Sequence, residues 1–231
     1  MPDSNIGAKR SPTLKRLTTP RAAAAAGVVF ALLFSANLIL IRSSLPEGAE
    51  PGSQWLDAAS GKMKVAAILM PFAGISFLWF IGVVRDGLGR FEDKFFGTVL
   101  LGSGLLFLAM MFATSAIGAG LSGSNVALDH DTAAYTDIAT FGQMVVLTLS
   151  KTYAVRMAAV FMISLATIWL RTGLMHRWLV IATYLLAAAL LVSGDISMWL
   201  VLAFPVWVLV VSVLLLVRAG VFEGHREEYG A

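Results

Sequence analysis

Long apolar runs broken by short polar stretches set the pattern of this chain. Three such runs crowd into residues 151–218, separated only by residues 171–177 and by Gly194 and Asp195. A bilayer core about 30 Å thick needs roughly 20 apolar helical residues to cross it. Each run is near that length, and three earlier stretches match it less crowdedly. The pattern predicts an all-α, polytopic integral membrane protein: a bundle of six transmembrane helices at about 22–41, 65–84, 95–118, 153–170, 178–193 and 196–217. Residues 1–21 read as a disordered basic cytoplasmic tail, 22–218 as the membrane domain and 219–231 as a second cytoplasmic tail. The first apolar run is too long for the core of a signal peptide, and no A-x-A site follows it, so it is expected to be a retained helix. Residues 138–149 are apolar again. They read either as an interfacial helix or as an early extension of the fourth span, and periodicity does not separate the two.

Several residues stand out within the spans. Asn37 is a polar side chain in the first, suited to hydrogen bonding between helices. Pro71 in the second and Pro205 in the sixth are expected to kink their helices by removing a backbone donor. The third carries Gly97, Gly102, Gly104, Ala109 and Ala113, small residues that let helices approach closely.

Composition agrees with a lipid-embedded chain. The sequence is 58% hydrophobic and 13% charged, about half the charge of a soluble domain, with a mean hydropathy of +0.81. It has no cysteine, which excludes disulfides, thiolate metal sites, iron–sulfur clusters and cysteine nucleophiles. The net charge of +3 is better explained by loop placement than by nucleic acid, which is not an expected partner.

With both termini inside, twelve basic residues lie inside: Lys9, Arg10, Lys15, Arg16, Arg21, Arg85, Arg90, Lys94, Arg171, Arg177, Arg218 and Arg226. Five lie outside: Arg42, Lys62, Lys64, Lys151 and Arg156. The positive-inside rule therefore predicts N-in, C-in. Trp169 and Trp178 flank the inner turn between the fourth and fifth spans, and Trp199 the outer start of the sixth, all levels that tryptophan prefers. Lys9, Arg10, Lys15, Arg16 and Arg21 form a candidate site for anionic lipid headgroups. The bilayer is the expected partner, and a homo- or hetero-oligomer stays open. High alanine, arginine in excess of lysine and absent cysteine fit a bacterial inner membrane.

Candidate chemistry is thin. Arg156 is the one charge well inside a span, about a turn below its outer end, and a charge there is a functional candidate by default. It can also snorkel to the headgroups. Lys151, Arg42 and Asp195 are expected at the same level. Arg156 and Asp195 read as a structural pair, or, with Asn37 and Lys151, as lining an outward-facing polar pocket for an anionic ligand or a proton path. Gly120-Leu121-Ser122-Gly123 resembles the G-x-S-G element of rhomboid-type intramembrane proteases over four residues. That family also needs a histidine base in a later span. His130, His176 and His225 all fall in expected loops or the tail, so no catalytic residue is assigned. The same absence of histidine from the spans removes haem ligation. Asp129-His130-Asp131 has metal-compatible types, but three adjacent positions do not converge on one ion. No cofactor and no metal are expected. The sequence thus describes a non-catalytic multi-spanning protein acting by packing or partner contact, with a small transporter or channel-like protein as the alternative.

Overall fold

The computed structural model describes residues 20–44, 54–88, 94–124, 133–192 and 198–228, with side chains at 24–44, 61–85, 94–122, 136–192 and 200–217. All regular structure among them is helical. In chain order the helices are α1 (Pro20–Ser44), α2 (Gln54–Leu88), α3 (Lys94–Ser124), α4 (Ala133–Leu147), α5 (Ala154–Thr172), α6 (Arg177–Val192) and α7 (Ala203–Glu228). A π-helical segment, Thr148–Tyr153, joins α4 to α5, so the path from 133 to 172 is helical without a break. Five stretches are long and apolar enough to cross a membrane: Ala24–Ser44, Gly61–Arg85, Lys94–Ser122, Thr136–Thr172 and Leu200–Val217. The shorter apolar α6 is the sixth candidate.

The faces turned away from the bundle are apolar. Leu32, Ile68, Trp79, Phe141, Leu185 and Val192 are all more than 60% exposed. A water-soluble protein does not display apolar surface around its whole circumference. Lipid is the solvent that such a surface fits, and it forces the backbone to satisfy itself within helices. Buried hydroxyls follow the same logic. Ser103, Thr114, Ser122, Ser164 and Ser212 each donate to the carbonyl four residues back, at 2.7–2.9 Å.

Helix α1 packs on α2 and on α7, α2 on α3, α3 on α5, and α5 on α6. Phenylalanines fill the centre. Phe77 of α2 meets the rings of Phe30, Phe80, Phe107, Phe161 and Phe204 at centroid distances of 4.5–6.2 Å. Phe204 of α7 meets Phe30, Phe107, Phe161 and Trp207 as well. Such pairs add about 0.5–1.5 kcal/mol each beyond simple burial. Two glycines let the helices close on this core. At Gly27 a Cβ would collide with the Ser212 hydroxyl and the Phe80 ring, so α7 lies hard against α1. At Gly104 it would stand 2.7 Å from Ile81 and 3.3 Å from Phe161. Of the small residues in the third span, Gly104 therefore faces inward, whereas Ala109 is exposed.

The helices differ from expectation mainly at their ends. Helix α3 runs to Ser124, so Leu121 and Ser122 are buried helical residues and not the start of a loop. Pro71 lies inside α2 on an exposed face. Pro205 is buried in the first turn of α7, just after a 3₁₀ segment at Met198–Leu202. A proline there replaces a backbone N–H that has no partner in the helix anyway. Helix α5 ends at Gly173, whose φ of 64° is left-handed and whose N–H caps the Trp169 carbonyl at 3.0 Å. Trp169 is buried, 6.2 Å from Trp207. It serves the core, and of the two tryptophans at this turn only Trp178 is exposed.

Candidate functional site

Asn37, Arg42, Ser115 and Ser150 form one group of buried polar residues in the bundle. Helices α2 and α3 run antiparallel, with Gly74 against Phe112 and Gly118 against Met63. Helix α3 runs antiparallel to the α4–α5 path, with Leu121 against Gly142 and Gly104 against Phe161. This register puts Met70, Ser115 and Ser150 near one level. Asn37 of α1 joins them by donating from Nδ2 to the Met70 Sδ at 3.3 Å.

Asn37 is 0% exposed. Its Oδ1 has no hydrogen-bond partner among the described residues, and neither has the buried Ser115 hydroxyl. A buried acceptor left unpaired costs about 1–3 kcal/mol. Asn37 therefore has lone-pair capacity for a water or another donor at this level.

Arg42 lies five residues further along α1 and is 2% exposed. Its Nη2 donates to the Ser150 Oγ at 3.3 Å, across 108 residues of sequence. The Ser150 hydroxyl in turn donates to the Val146 carbonyl at 2.7 Å. Ile41, Met63, Ala66 and Val146 make a small apolar cluster beside them. The sequence placed Arg42 at a helix end near the headgroups. The structure turns its guanidinium into the protein, where it links α1 to the α4–α5 path.

Ser150 sits in the π-helical segment. There the Ala154 N–H reaches back five residues, to the Leu149 carbonyl. One extra residue is thus accommodated between α4 and α5, and such bulges recur at functional sites. The bulge also sets which face of α4 meets α3. At Gly142 a Cβ would strike the Leu121 side chain, so any larger residue would force that side chain to move.

The residues singled out from the sequence divide. Asn37 is in the buried layer. Lys151 is half-buried in the π segment, next to Ser150. Arg156 is half-buried, and its Nη1 donates to the Thr152 carbonyl of its own helical turn at 3.2 Å. Asp195, Asp129, His130, Asp131 and the basic cluster Lys9–Arg21 positions (9, 10, 15, 16 and 21) lie outside the residues whose side chains are described. Sequence reasoning missed the inward turn of Arg42, the burial of Ser150 and the buried Gln143. The polar string Thr148-Leu149-Ser150-Lys151-Thr152 inside an otherwise apolar stretch was the available signal.

Among the described residues there is no group of three His, Cys, Asp or Glu placed to hold a metal ion. Compared with models of protein families, with curated proteins and with solved structures, the chain matches none. The geometry alone therefore carries the functional reading.

Proposed function

We propose that this is a multi-spanning integral membrane protein without catalytic machinery of its own, acting through helix packing and contact with lipid or a partner protein. The observation that carries the reading is the phenylalanine core. Phe77 and Phe204 tie together rings from α1, α2, α3, α5 and α7 across the middle of the bundle. A path for a solute needs polar groups converging on a cavity near the midplane, and packed aromatic rings offer neither. The charge pattern supports an arrangement with both termini cytoplasmic, and the composition supports a bacterial inner membrane.

One observation favours a second reading, a small transporter or channel-like protein. The layer of Asn37, Arg42 and Ser150 is polar and buried, and intramembrane polar residues mark pathways. In that reading Lys151, Arg156 and Asp195 would line its outer approach.

A cysteine scan separates the two, because the parent chain has no cysteine. Single cysteines at Ser150, Ala154, Ala158 and Ser164 would be exposed to a membrane-impermeant thiol reagent from each side. The packing reading expects no labelling at Ala158 or Ser164 from either side. Labelling that ran through Ser150 and Ala154 to Ala158 would favour the transporter.

A further inference from the structure

Helix α6 packs mainly on α5 and α7 mainly on α1, and α6 and α7 meet each other less closely. Between them lies a cleft of about 360 Å³. Trp178, Ala182 and Leu186 line it from α6, and Ala203, Val206 and Val210 from α7. Across it Trp207 Nε1 donates to Thr183 Oγ1 at 3.0 Å. The Thr183 hydroxyl also donates to the Leu179 carbonyl at 2.8 Å, so both groups are already engaged. A trapped water needs two to four polar partners, and this lining does not supply them. The natural occupant is hydrocarbon.

The cleft is elongated along the helices. From Trp178 to Leu186 the lining covers eight residues of rise, about 12 Å. That is the direction an acyl chain takes in a bilayer. One end of the cleft is also charged. Trp178 follows Arg177, the first residue of α6, and both are exposed, as are His176 and Arg171. No acidic residue occurs anywhere in 138–194. Arginine offers a planar fork of donors matched to phosphate oxygens, and exposed tryptophan favours the headgroup level.

We propose that this cleft is a binding site for one anionic phospholipid, with an acyl chain between α6 and α7 and the phosphate at Arg177. The proposal rests on the bilayer reading above. It differs from the N-terminal basic cluster in seating a single molecule by its chain as well as its charge.

The test uses the full chain in detergent, mixed with phosphatidylglycerol or phosphatidylcholine and weighed by native mass spectrometry. The parent should retain one phosphatidylglycerol in preference to phosphatidylcholine. Ala182 is exposed, so Ala182→Phe fills the cleft without disturbing the core and should abolish retention of both lipids. Arg177→Gln should weaken phosphatidylglycerol about fivefold, the effect of one basic residue at a headgroup, and leave phosphatidylcholine unchanged. Retention indifferent to both substitutions would overturn the site. Equal retention of the two lipids by the parent would overturn the anionic headgroup. A dimer that disappears with Ala182→Phe would make the occupant a second copy and overturn the lipid. Full solubility without detergent would instead overturn the bilayer reading.

Discussion

At Ser150 a single hydroxyl links two elements: it accepts from Arg42 of α1 and donates back into its own helix, chiefly to the Val146 carbonyl at 2.7 Å, with the Leu147 carbonyl at 3.4 Å. Ser164, also buried, donates to the Val160 carbonyl of its own helix and has no other side-chain hydrogen bond among the described residues. The two serines should therefore answer differently to the same change. Ser150→Ala removes an acceptor from a buried cation and should cost about 1–3 kcal/mol, read as a lower Tm in detergent. Ser164→Ala frees a carbonyl that is already in a helical bond and should stay within about 0.5 kcal/mol of the parent. Equal shifts would mean that the Arg42 contact contributes nothing. Neither role was legible in the sequence, because Arg42 and Ser150 are 108 positions apart and nothing local marks which way an arginine at a helix end will turn. Arg156 drew attention by its depth in an apolar run, whereas burial depends on which face of the helix a residue occupies. Core aromatics have larger expected effects. Phe77→Ala should cost about 3–5 kcal/mol, and a loss under 1 kcal/mol would show that the rings around it do not form one packed unit.

Among the elements, the helices of the long apolar runs were the legible part, since about 20 apolar residues dictate helix in lipid whatever their neighbours do. Their ends were not. Helix α2 begins at Gln54, through a stretch containing Asp57, Lys62 and Lys64, where hydropathy gives no signal. The α4–α5 path was ambiguous for a related reason: its polar string 148–152 reads as a boundary, yet the backbone carries on through it as a π turn. That turn can be tested by inserting one alanine after Thr148, whose side chain is exposed. Adding one residue rotates α4 by about 100° relative to α5. It would bring Gln143 to the position where Gly142 meets Leu121, where a Cβ would press on the Leu121 side chain. The insertion should reduce folded yield and Tm, whereas deleting Thr148 removes the extra residue of the π turn, leaves α4 in register and should be tolerated. An unperturbed insertion variant would show that α4 is not held in this register.

For the molecule as a whole, the antiparallel course of the helices fixes which residues share an end. Arg171 lies over the Phe96 ring at 4.7 Å, so the start of α3 and the end of α5 are together. Lys62, near the start of α2, lies by the opposite end. In intact cells Lys62→Cys should react with an impermeant thiol reagent, and Lys94→Cys and His176→Cys only after the membrane is opened. The reverse pattern would invert the orientation derived from the basic residues. Reactivity of all three from one side would contradict the bundle's course through the bilayer.

The contact between α1 and α7 at Gly27 and Ser212 also has a consequence for biogenesis. The ribosome delivers α1 to the membrane early and α7 late, so α1 must wait for its second neighbour while the intervening helices are inserted. Until Phe204 arrives, the cluster that Phe77 makes with Phe30, Phe107 and Phe161 lacks the second ring that meets all four. A nascent chain stalled before Met198 should therefore insert yet remain open to proteolysis by membrane quality control, and release of the last helix should be the step that locks the bundle shut.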